Sequence, residues 1–149
     1  MTERYRPNTT VAWVIESPEG FLFVEENIHG NMQFNQPAGH IEAGETLIEA
    51  AKRELHEETS LQLEPEGLVG IYQFPNQSGK VVYLRFCFYA KLAESPALLP
   101  IDPAIHACHW LSRDDIAKRS LRSQFVLTCT DDYIAGKRFS LDLLHCQLH

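Results

Sequence analysis

The stretch from Thr46 to Thr59 constrains this chain most, because it reads as a helix that carries acid where its apolar stripe should be. Thr46-Leu47-Ile48-Glu49 has the form of a capping box, in which hydroxyl and carboxylate satisfy orphan backbone N–H groups reciprocally, so the helix start is well marked. At about 100° per residue, Leu47, Ile48, Ala51 and Leu55 share one arc of roughly 100°, the core-facing stripe. Glu58 projects within about 20° of Leu47, inside that stripe. Glu54 and Glu57 flank it.

Carboxylates spaced i, i+3 and i+4 repel one another, and in a last turn they also face the negative end of the helix dipole. A solvated acidic face with Arg53 paired to Glu57 is the plain alternative. The overlap with the apolar stripe argues against full solvation, and a cation resolves both conflicts. Mg²⁺ or Mn²⁺ suits an oxygen-only ligand set, keeps several waters and commonly bridges carboxylates to phosphates. Such an ion activates water, neutralises phosphate charge and orients the reacting bond.

From Gly39 the chain reads GHIEAGETLIEAAKRELHEETSL, which resembles the Nudix box, Gly-x5-Glu-x7-Arg-Glu-U-x-Glu-Glu-x-Gly-U with U aliphatic. Gly39, Glu45, Arg53, Glu54, Leu55, Glu57, Glu58 and Leu61 match; only Ser60 departs, standing where the pattern has glycine. The resemblance implies one α/β domain over residues 1–149, a Nudix-type αβα sandwich with a mixed β-sheet between helices and the box at 39–61. It also implies metal-dependent hydrolysis of phosphoanhydride bonds, with Glu54, Glu57 and Glu58 as the ligands of Mg²⁺ or Mn²⁺ and Glu54 and Glu57 in the catalytic set. By position in the box, Glu45 and Arg53 support the motif through a salt bridge, and Gly39 makes a tight backbone approach. Many members of the family place a further acid just before a late strand, where this chain has Ala104; Asp102 is the expected stand-in, with Glu57 the other candidate base.

A narrower likeness, to the NudJ-type bacterial phosphatases of that family, runs through the 34–40 segment, Leu84-Arg85-Phe86 and Leu121-Arg122-Ser123. It implies small pyrophosphates as substrates, among them nucleoside tri- and diphosphates and hydroxymethylpyrimidine pyrophosphate, with release of orthophosphate. Two rival readings are a non-catalytic sensor of a phosphorylated metabolite and an enzyme that trims diphosphate from RNA ends.

Composition bears on the partners. With 44% hydrophobic and 22% charged residues in 149, the chain has enough apolar material for one core. A formal net charge of −7 repels long polyanions, so neither long nucleic acid nor an anionic membrane is expected as a partner, whereas a small phosphorylated substrate is compatible once cations are bound. Met1 to Asn8 shows no apolar leader and no run is long enough to span a bilayer, so a cytoplasmic location is expected. Oligomeric state has no signal. Cys87, Cys108, Cys129 and Cys146 form no CxxC pair and read as buried free thiols; His106, Cys108 and His109 suggest a metal, but strand alternation sends the neighbours Cys108 and His109 to opposite faces, against a zinc site.

Strands are expected at Thr9 to Glu16 and Gly20 to Glu26, joined by Ser17-Pro18-Glu19-Gly20, and at Leu68 to Phe74, Val81 to Leu92 and Ile105 to Leu111. Ser112 opens a short helix, and another is expected from about Ser123 to Ala135 with Gly136 as its stop. Alternation puts Tyr83, Arg85 and Cys87 on one sheet face and Val82, Leu84, Phe86 and Phe88 on the other. Arg85 is then a candidate phosphate clamp in a polar cleft, with a structural salt bridge as its alternative. Gln36 and Phe34 are the other candidate substrate contacts. Trp13, Tyr72 and Phe74, like Phe34, offer faces for a heterocycle but serve equally as core.

Overall fold

Alternating and continuous apolar runs lay down the sheet of this protein, described here from a computed structural model that covers residues 3–148. Met1 and Thr2, within the segment read as leaderless, and His149 lie outside the described residues. Strand β1 (Asn8–Ser17) turns through the expected tetrad into β2 (Gly20–Ile28). Gly20 has φ 129°, and a Cβ there would stand 2.5 Å from the carbonyl oxygen of Leu111, so the turn demands glycine.

Two strands follow that periodicity does not announce, β3 (Asn31–Asn35) and β4 (Ala38–His40). Helix α1 (Leu47–Thr59) comes next, then the antiparallel pair β5 (Gly67–Pro75) and β6 (Val82–Lys91), strand β7 (Ile105–Leu111), and helices α2 (Arg113–Ala117) and α3 (Phe125–Ile134). A short 3-10 turn at Leu141–Leu143 was also unannounced.

The sheet runs β3-β2-β1-β6-β5, with β4 on β1 and β7 on β2. Among the strands named here, β1 and β6 pair in parallel and the other pairs are antiparallel, which makes the sheet mixed. The hairpin pairs β1 with β2 only near its turn, at Glu16↔Phe21 and Ser17↔Gly20, after which the strands part. β4 fills the gap on β1, and β3 and β7 flank β2.

Each face buries its own core. Val11, Trp13, Ile15, Leu22, Leu68 and Phe88 pack beneath Ala51 and Leu55 of α1. On the other face Ala12, Val14, Phe23 and Cys87 meet Ile116 of α2 and Val126, Cys129 and Tyr133 of α3. This is an α/β sandwich with helices on both faces, as expected. No helix among the described residues is long and apolar enough to cross a membrane. The four thiols are free and Cys87 and Cys129 are buried, but Cys108 is half-buried and Cys146 exposed, which corrects the expectation that all are buried: Cys146 follows the last helical turn, where no sheet covers it.

Candidate active site

The capping box forms at α1: Thr46 Oγ1 accepts the Glu49 N–H at 3.1 Å and Glu49 Oε1 accepts the Thr46 N–H at 3.0 Å. One turn on, Arg53 spends its whole fork. Its Nε and Nη2 donate to Glu45 at 2.5 and 2.9 Å, Nη2 donates to the His40 carbonyl at 3.0 Å, and Nη1 reaches Glu54 at 2.9 Å and Glu57 at 3.3 Å. The bidentate pair ties the loop before α1 to the helix and holds the Glu45 carboxyl below the usual carboxylate range.

Beside this clamp opens a pocket of about 370 Å³ lined by Glu26, Gly39, Glu54, Glu58, Asp102 and Ala104 among others. Glu58 is only 4% exposed, and its Oε1 accepts the Ala38 N–H at 2.9 Å. Burial pushes its carboxyl well above the ordinary range; the Ala38 N–H pulls it back, and Glu26, Glu54 and Asp102 raise it further. Burial likewise raises Glu54, against the pull of Arg53. Gly39 lies so close to Glu54 that a Cβ would stand 2.2 Å from the carboxyl carbon, so β4 lays bare backbone against the helix carboxylate.

Glu57 turns toward Arg53 and is 42% exposed. Its backbone carbonyl accepts the N–H groups of Ile101 and Asp102 at 2.9 and 2.8 Å, which fastens the late loop to the end of α1. Asp102 Oδ1 in turn accepts the Ala104 N–H at 2.9 Å. Asp102 therefore shares the pocket with Glu54 and Glu58, while Glu57 stands alongside.

Among the described residues no three acidic, His or Cys side chains close a metal cage. The donor set still fits a hard divalent cation: Glu54 and Glu58 are oxygen donors on one pocket, and the Glu58 carboxylate is buried with no guanidinium of its own. Mg²⁺ is commonly held by one or two carboxylates, its other positions being taken by water and phosphate.

Arg85, Gln36 and Phe34 are not brought to this pocket, which corrects the expected polar cleft. Arg85 is 5% exposed on the α3 side of the sheet; its Nη1 donates to Gln36 Oε1 at 2.9 Å and its guanidinium lies 5.4 Å from the Phe74 ring centre. Gln36, 1% exposed, donates from Nε2 to the Val126 carbonyl at 2.9 Å, and Phe34 joins the same core. Alternation had put Arg85 opposite Phe86 and Phe88, but α3 covers that face. Trp13 and Phe74 are core as well: Trp13 Nε1 donates to the Ala51 carbonyl at 2.7 Å and Phe74 stacks on Phe125 at 4.1 Å.

Glu26 was missed by sequence reasoning. Leu22 and Val24 precede it at period two on β2, and Leu22 packs under α1, so alternation directs Glu26 to the side of the Nudix-like helix. Ser60, the break in the box, has φ 70° and ψ 0°; its N–H caps the His56 carbonyl at 2.9 Å and its hydroxyl donates to the Leu99 carbonyl.

Comparison with known proteins agrees with this geometry. A NUDIX domain signature matches residues 4–128. Phosphatase NudJ of Escherichia coli strain K12 is 40% identical over 141 residues, 94% of this chain and 92% of that protein. A NUDIX hydrolase from Nitrosomonas europaea superposes with a TM-score of 0.87 at 41% identity, over 96% of this chain and 99% of its own. A bifunctional NMN adenylyltransferase/ADP ribose pyrophosphatase from Francisella tularensis, complexed with AMP and a Mn ion, shares the fold at a TM-score of 0.71 and 20% identity, over 91% of this chain and 44% of that one.

Proposed function

Because the chain belongs to the NUDIX family and is a hydrolase acting on phosphorus-containing anhydrides, we propose that it cleaves small pyrophosphates with release of orthophosphate. Nucleoside tri- and diphosphates and hydroxymethylpyrimidine pyrophosphate are the substrates proposed. The observation that carries this reading is the meeting of Glu54, Glu58 and Asp102 in one pocket of about 370 Å³, near the small end of ligand pockets.

Glu54 and Glu58 hold Mg²⁺ or Mn²⁺ in this reading, with Glu57 as the third carboxylate of the set. Bound there, the cation neutralises phosphate charge and makes water more acidic. Arg53 and Gly39 keep the Glu54 carboxylate in place. Asp102, tethered through Oδ1 to the Ala104 N–H, keeps Oδ2 to take a proton from the attacking water. Glu57, which shares its carboxylate with Arg53, is the second candidate for that proton. The catalytic phosphatase name of a relative that spans 94% of the chain favours this reading over a non-catalytic sensor.

The test is a panel of small pyrophosphates assayed with Mg²⁺, with Mn²⁺ and with EDTA, orthophosphate and pyrophosphate being measured separately. Turnover that persists in EDTA overturns the metal assignment. Exclusive release of pyrophosphate from triphosphates overturns the cleavage position.

A further inference from the structure

The carboxylate pocket is short of cationic side chains to meet a phosphate. Among its lining residues there is no lysine or arginine. Arg53 is committed to Glu45, Glu54, Glu57 and the His40 carbonyl, and Arg85 is sealed on the opposite face of the sheet. One guanidinium is both near and loosely held. Arg122 Nη1 stands 3.7 Å from Glu26 Oε2, and Glu26 lines the pocket with Glu54, Glu58 and Asp102.

The backbone that carries Arg122 is firmly placed although its side chain is not. Residues 120–122 lie along β3 as a short parallel bridge, Phe34↔Leu121. The Phe34 N–H donates to the Ser120 carbonyl and the Arg122 N–H donates to the Phe34 carbonyl, each at 2.8 Å. Arg119 is held in the same segment with its guanidinium 5.2 Å from the Phe34 ring centre. The Arg122 side chain remains 39% exposed, and 3.7 Å is too long for a charge-assisted hydrogen bond. Such an ion pair is weak and readily exchanged. Burial raises the Glu26 carboxyl while Arg122 pulls it down, so the two groups sense one another across the rim.

We propose that Arg122 is the phosphate-positioning residue of this site, exchanging Glu26 for a phosphoryl oxygen of a bound pyrophosphate. The proposal rests on the small-pyrophosphate reading above. A guanidinium suits this task because its planar fork matches two phosphoryl oxygens, whereas an ammonium makes a point contact. The pair with Glu26 keeps the side chain oriented toward the pocket rim until substrate replaces the carboxylate.

The experiment measures binding of methylenediphosphonate, a pyrophosphate analogue whose P–CH₂–P bridge cannot be hydrolysed and which carries no base, by calorimetry in Mg²⁺. Wild type, Arg122→Gln and Arg122→Lys are compared, with melting curves of all three without ligand. Wild-type binding is expected, weakened about tenfold to a hundredfold in Arg122→Gln, with Arg122→Lys in between. Melting is expected to change little, since the Arg122 side chain is 39% exposed and the pair is long at 3.7 Å. With any substrate that the enzyme turns over, Arg122→Gln is expected to raise KM far more than it lowers kcat. Unchanged affinity in Arg122→Gln overturns the proposal, as does a wild type that fails to bind the probe or a loss that tracks a matching fall in melting temperature in both variants. Absence of turnover on every substrate, with Arg122-dependent binding intact, instead removes the hydrolytic reading and leaves Arg122 as a binding residue.

Discussion

Glu58→Gln separates the cost of the pocket from its use. Glu58 is 4% exposed, accepts a single hydrogen bond from the Ala38 N–H, and faces Glu26, Glu54 and Asp102. A buried carboxylate without a cation is costly to ionise. Glutamine keeps an oxygen for the Ala38 N–H and removes the charge, at the expense of an amide that needs its own acceptor. Without metal the variant is therefore expected to be more stable at neutral pH, by about 0.5–2 kcal/mol, the usual gain when a functional compromise is relieved. In a domain of this size that is roughly 2–6 °C in melting temperature.

The sign with pH follows from the raised carboxyl. The folded state holds the Glu58 proton above the ordinary value of 4.5, so ionisation destabilises the wild type as pH rises from there through the raised folded value. The advantage of Glu58→Gln is expected to vanish at low pH and to be complete above that folded value. Saturating Mg²⁺ reverses the order: a ligand at 100 times its Kd stabilises the wild type by about 2.7 kcal/mol, and the variant, short of one ligand, gains less. Thermal melts in EDTA at acid and neutral pH, then in Mg²⁺, read all three effects. A Glu58→Gln protein that melts at or below the wild type in neutral EDTA refutes the strain argument, and equal Mg²⁺ shifts in both refute its place as a ligand.

Gly39→Ala puts a Cβ 2.2 Å from the Glu54 carboxyl, the far end of a flexible side chain, so the fold is expected to survive while Mg²⁺-dependent turnover falls at least about tenfold; circular dichroism melts and initial rates check both halves. Ser60→Gly relieves a left-handed backbone but loses the hydroxyl bond to Leu99, so its unfolding free energy is expected within about 1 kcal/mol of wild type. Ser60→Ala keeps the strain without the bond and is expected to lose about 1 kcal/mol in urea melts, both Ser60 variants retaining turnover within a few fold. Asp102→Asn is expected to lower kcat at least about tenfold in initial-rate assays, whereas unchanged turnover moves the proton acceptor to Glu57.

How far this site can be read without coordinates depends on where each contact originates. The acid on the apolar side of α1, its capping box and the Arg53–Glu45 pair all arise within fifteen residues of one another, so helical periodicity and spacing expose them. β3 and β4 escape because Asn31–Asn35 and Ala38–His40 are short, rich in Asn and Gly, and exist as strands only where β2 and β1 part and offer free edges. Arg85 shows the limit most plainly. Alternation assigned it correctly to the face opposite Phe86 and Phe88, but alternation is blind to which helix covers a face. Once α3 delivers the Val126 carbonyl to Gln36, and Gln36 to Arg85, that guanidinium is fixed in the interior. The converse holds for Glu26: it stands at the end of an apolar strand and looks like surface until α1 is known to lie above Leu22. Local patterns thus identify which residues can bear chemistry, whereas the partner of each across the sheet is decided by long-range pairing that leaves no periodic trace.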